Sequence, residues 1–104
     1  MSDDYPLPPA SFEMLVLSMK MQAEVQLGLI HFGDEKDRPE PNLPLAQHAI
    51  DLLAVIEQKT KGNLSLDEQR LVENSLTELR FRFVQVKEEK ASQAQPGTET
   101  ASAS

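Results

Sequence analysis

Cysteine and tryptophan are absent from this chain of 104 residues, and there is a single tyrosine. Without cysteine there is no disulfide framework, no thiolate nucleophile and no Cys-based zinc site, and the chain is indifferent to the redox state of its compartment. Basic residues are few, ten Lys and Arg against 17 Asp and Glu, for a net charge of -7. Asp3, Asp4 and Glu99, near the two ends, supply three of those units and leave -4 between them. This balance disfavours nucleic acid and anionic membrane, both of which bind chiefly through clustered Lys and Arg. No apolar run approaches the roughly 20 residues of a membrane span. The opening Met1-Ser2-Asp3-Asp4 is acidic and lacks the basic and apolar regions of a secretory signal, so a cytoplasmic protein is expected.

Sites for chemistry are as sparse. No Gly-x-Ser-x-Gly turn or comparable strained loop exposes a nucleophile, and Glu73, Glu78, Asp67 and Glu68 fit solvated helix charges and caps. His48 and Asp51 stand three apart, a spacing that can set two ligands beside one metal, with His31 a conceivable third. Two ligands do not make a site, and an interhelical hydrogen bond or a solvated pair is the simpler use. Lys59-Thr60-Lys61-Gly62-Asn63 has none of the spaced glycines of a phosphate loop and lies at a helix C-terminus, which repels anions. Arg80 and Arg82, with Lys87 and Lys90, form a small basic cluster diluted by Glu78, Glu88 and Glu89, and a salt bridge to an acidic helix is its expected use. No catalytic residue, cofactor or metal set is therefore expected, and no enzyme activity.

The chain does contain helices. Residues 1–9 carry three prolines and two aspartates, and 91–104 are Ala, Ser, Thr, Gln and Gly with one proline and one glutamate. Such compositions bury too little apolar surface to order themselves, so both ends are expected to be disordered tails around one domain at 10–90. From Met19 to Leu29 apolar and polar residues alternate, as in a half-buried strand. Met, Leu, Ala, Gln, Glu and Lys are nevertheless strong helix formers, and Ser11 follows Pro8 and Pro9 as an N-cap, so the spacing is assigned to a helix over about 12–32 closed by Gly33. A charged, proline-bearing loop over 34–41 then acts as a spacer of free length. Asn42 caps a second helix over about 43–61, with Pro44 in its first turn. Its apolar arc is Leu45, Ala46, Ala49, Ile50, Leu52, Leu53 and Ile56. Lys59 and Lys61 at the negative helix end, Gly62 at a left-handed position and the capping box Ser65 to Glu68 mark a tight turn into a third helix over about 66–87. Val72, Leu76, Leu79, Phe83 and Val86 form its core stripe, and Phe81 points away from it. The fold class is all-α: a long first helix plus an antiparallel helical hairpin.

Wound at about 100° per residue, the first helix has two apolar stripes. Phe12, Leu15, Val16, Met19, Ala23, Leu27 and Ile30 make one; Met14, Leu17, Met21, Val25 and Phe32 make the other, nearly opposite. Leaving the second stripe wet would forgo roughly 1.5 to 3 kcal/mol for each large side chain, on the order of ten in all, comparable with the whole stability of a small domain. A second copy of the chain is the simplest cover, completing a bundle by self-association; the alternative is that the other two helices wrap both faces within one subunit. The expected interface is Met14, Leu17, Met21, Val25, Phe32 and Phe81. The function expected is a non-enzymatic protein–protein interaction module that homo-oligomerises as a dimer. Alternatives are an accessory subunit docking on a different protein and, third, a small-ligand or metal-binding bundle.

The segments Asn42-Leu43-Pro44-Leu45-Ala46-Gln47-His48-Ala49-Ile50-Asp51-Leu52-Leu53, Lys59-Thr60-Lys61-Gly62-Asn63-Leu64 and Leu79-Arg80-Phe81-Arg82-Phe83, with Leu27-Gly28 ahead of the loop, resemble a bacterial family of short proteins known only as a domain of unknown function. The resemblance runs from about Phe12 to Val86. It implies an all-helical, bacterial, cytosolic protein and brings no activity, cofactor or catalytic residue with it.

Overall fold

The computed structural model describes residues 7–94, and these form three α-helices, α1 (Phe12–Gln26), α2 (Leu43–Lys59) and α3 (Leu66–Ala94), with a 3-10 turn at Glu35–Asp37. Each start carries the cap its sequence announces. The Ser11 Oγ accepts from the Met14 N–H at 3.1 Å, and the Asn42 Oδ1 accepts from the Leu45 N–H at 3.0 Å. At α3 the box closes in both directions: the Glu68 N–H donates to Ser65 Oγ at 3.2 Å and the Ser65 N–H to Glu68 Oε1 at 2.8 Å. These bonds satisfy amides that have no partner inside the helix.

Two helix ends differ from expectation. α1 stops at Gln26, well before Phe32, because Gly28 takes a left-handed φ of +79°. The Gly28 N–H then donates to the Val25 carbonyl at 3.0 Å and the Leu29 N–H to the Glu24 carbonyl at 2.9 Å. This pair of bonds is the Schellman closure, and it needs a residue without a Cβ penalty at Gly28. Residues 27–32 therefore lie outside the helix, and Gly33 sits within the loop. α2 ends at Lys59, where the Thr60 hydroxyl caps the Ile56 carbonyl at 2.7 Å and Gly62, φ +86°, turns the chain. α3 runs on past Lys87 to Ala94, so Ala91–Ala94 are helix where a disordered tail is expected. No glycine or proline stands between Leu66 and Pro96 to stop it. Residues 7–9 of the expected N-terminal tail are exposed and outside any helix, and the remainder of the two tails, 1–6 and 95–104, lies outside the described residues.

The core has two parts. Val16 and Ala23 of α1, Ile50 and Leu53 of α2, and Val72, Leu76 and Leu79 of α3 form the larger one, with Phe12, Met19 and Leu64 packed around it. Leu27, Ala46 and Val86 form the smaller one at the far end, flanked by Leu29, Leu43 and Phe83. The end of α1, the start of α2 and the late turns of α3 thus meet, so α1 and α3 run parallel to each other and antiparallel to α2. Ala23 and Ala46 have no exposed surface, which lets α1 and α2 approach closely. Lys20 of α1 pairs with Glu78 of α3 at 2.9 Å and sets those two helices in register. No helix among the described residues is long and apolar enough to cross a membrane.

The connection from α1 to α2 is tied down, contrary to the free spacer its composition suggests. Leu27 is only 1% exposed. The Asn42 N–H donates to the Gln26 carbonyl at 2.8 Å and closes the loop at its base. Arg38 grips Glu35 through two N–H groups, at 2.8 and 3.1 Å, and also donates to the Gly28 carbonyl. From α3, Lys90 Nζ donates to the Pro41 carbonyl at 3.0 Å.

Candidate interaction surface

The outer face of α1 is left uncovered by the other described residues. Leu17, Met21 and Val25 are 43%, 49% and 37% exposed, and Met14 is half-buried. They follow one another at three and four residues, so they form one line along the helix. The three charged residues of α1, Glu13, Lys20 and Glu24, fall within a narrow arc on the α3 side of that line, where Lys20 meets Glu78. The remainder of the outward surface of α1 is apolar, amide or hydroxyl.

The six residues expected at the interface are not brought together as one surface. Met14, Leu17, Met21 and Val25 share the α1 line. Phe32, exposed, belongs to the loop because α1 ends six residues before it, so it does not extend the stripe. Phe81 is 63% exposed on the outer side of α3, with Val84 one turn on. Among the described residues no element covers either phenylalanine.

Sequence reasoning overlooked a second exposed strip. Leu15, assigned above to the inward stripe, is exposed, and so are Leu45, Leu52 and Val55 of α2. With Met19 and Ala49 between them, these residues border a groove along the outer side of the α1–α2 pair. Met19, Gln22, Gln26, Leu45, His48, Ala49 and Leu52 line a hollow of about 80 Å³ in it. Ligand sites usually occupy about 300–1,000 Å³, so this hollow accepts a side chain rather than a cofactor. The sequence carries one sign of the strip. His48 interrupts the apolar arc of α2 between Leu45 and Leu52, and a polar residue there marks the wet edge of the arc.

The residues weighed for metal do not converge. Asp51 Oδ1 accepts from Gln47 Nε2 at 2.9 Å, His48 faces the groove, and His31 lies in the loop with Nε2 donating to the Asp34 carbonyl at 2.8 Å. No cluster of three potential ligands occurs among the described residues. The basic cluster on α3 also differs from expectation, since Arg82 donates to Gln85 at 3.3 Å and neither Arg80 nor Arg82 makes an ion pair among the described residues. The clearest perturbed carboxyl is that of Glu35, lowered first by its hydrogen bond to Arg38 and then by the charge of that guanidinium. Its role is to hold the loop.

No curated protein and no solved structure matches the chain. A family model does match, over residues 9–85, a span that takes in the whole of α1 and α2, the tied loop and most of α3. The chain belongs to the family described as a domain of unknown function (DUF1844).

Proposed function

We propose that this chain is a non-enzymatic helical interaction module of the cytoplasm that associates with a second copy of itself through the outer face of α1. The observation that carries this reading is the uncovered line Leu17, Met21 and Val25 on a face from which the charges of α1 are excluded. An exposed apolar row of this kind on a small acidic chain marks an association site better than it marks a solvated surface. Self-association would return the burial that the single chain forgoes.

Light scattering on the full chain at micromolar concentration tests it. The expected mass is twice the single-chain 11.6 kDa. Leu17→Glu with Met21→Glu should halve that mass and keep the helical circular dichroism, because neither side chain belongs to the core. A wild-type chain of single mass removes the proposal.

Phe81 and Val84 favour a second reading, docking on a different protein. Both are exposed on α3 beside two arginines without ion pairs among the described residues, and aromatic and arginine side chains are enriched at binding hot spots. Affinity capture that returns a partner lost on Phe81→Ala would support it, whereas recovery of the chain alone would count against it.

A further inference from the structure

We infer that the second copy seats on the groove between α1 and α2 as well as on the outer line of α1, so that the two chains meet through a four-helix layer and leave α3 on the outside. This inference rests on the self-association proposed above and specifies its surface. Two independent arguments lead to it.

The first is area. α1 has 15 residues, which at about 1.5 Å rise and about 10 Å breadth makes a strip roughly 22 Å by 10 Å. A standard stable interface takes about 800 Å² from each partner, and one such strip falls well short of it. The strip on α2 formed by Leu45, Leu52 and Val55 lies alongside, across Leu15, Met19 and Ala49, and adding it takes the contact to roughly 450 Å², nearer to that figure though still below it.

The second is charge. The chain carries -7, so two copies repel wherever their carboxylates are brought together. Among the described residues no carboxylate lines the groove. Between its apolar side chains stand Gln22, Gln26 and His48, while helical spacing puts Glu13 and Glu24 on the flank of Lys20, which meets Glu78 of α3, and Asp51 bonds to Gln47. A face without formal charge in its centre offers little to nucleic acid or to a charged peptide. It does fit a copy of itself, because a two-fold pair sets the same patch on both sides.

The absence of native cysteine makes the test clean. Leu45→Glu and Leu52→Glu, both at exposed sites, should each halve the mass found by light scattering on the full chain, with helical circular dichroism retained. Leu66→Glu at the exposed start of α3 should leave the doubled mass unchanged. In addition, the thiol of Leu52→Cys should react with maleimide more slowly as protein concentration rises. Three results overturn the inference: a doubled mass that survives Leu52→Glu, a Leu52→Cys labelling rate independent of concentration, or a mass above two chains. The failure of the two proposals can be told apart. If wild type has the mass of one chain, self-association itself is lost; if Leu17→Glu with Met21→Glu halves the mass and Leu52→Glu does not, only the groove is lost.

Discussion

Gly28 and Gly62 hold the same left-handed backbone, φ +79° and +86°, in different surroundings. A Cβ at Gly62 would meet nothing within 4 Å, but one at Gly28 would reach Pro41 Cγ at 3.4 Å. Gly62→Ala should therefore cost only the conformational penalty, about 1 kcal/mol. At that distance the contact is an ordinary van der Waals one, so Gly28→Ala should cost about the same as Gly62→Ala and leave Pro41, whose carbonyl also receives Lys90, in place. Urea denaturation should give the two variants equal midpoints, and a lower midpoint for Gly28→Ala would show that Pro41 is displaced. Gly62 was legible because lysines precede it and a capping box follows it, each with its own physical reason. Gly28 was not legible as a helix end, because Leu29 and Ile30 continue the apolar pattern beyond it and Gly33 offers an equally plausible stop. What selects Gly28 is the chance to bury Leu27 against Ala46 and Val86, a contact made by residues distant in the chain.

At the scale of elements, local signals predicted starts better than ends. Ser11, Asn42 and Ser65 each accept the amide bond that their sequence context promises. Because the box at α3 satisfies two amides reciprocally, Ser65→Ala should destabilise the chain by about 1 kcal/mol, read as a lower urea midpoint with no change in the slope of the transition. The stripe of α3 was equally plain: Val72, Leu76, Leu79 and Val86 are all buried and Phe83 packs beside them. On α1 and α2 periodicity named the apolar residues but not their direction. Leu15, Leu45 and Leu52 look like core on a helical wheel and are exposed, since a three-helix unit presents each helix with two neighbours and no more. The third flank stays wet.

At the scale of the molecule, the exposed face has a thermodynamic consequence. If folding of one copy is linked to pairing, the melting temperature must rise with protein concentration, because association stabilises only the folded chain. Calorimetry over a hundredfold range should show that rise for the wild type and a flat response for Leu17→Glu with Met21→Glu, whereas a flat response in both would oppose pairing. The sequence by itself determined the number of helices, where each begins, the hairpin turn and the presence of an apolar surplus, because caps, turns and periodicity act within a few residues. Only the tertiary structure decided where α1 stops, that the loop is fastened by Arg38 and Lys90, and which apolar side chains remain outside. Those outcomes depend on which helix lies against which, and packing between distant segments leaves no mark on local pattern.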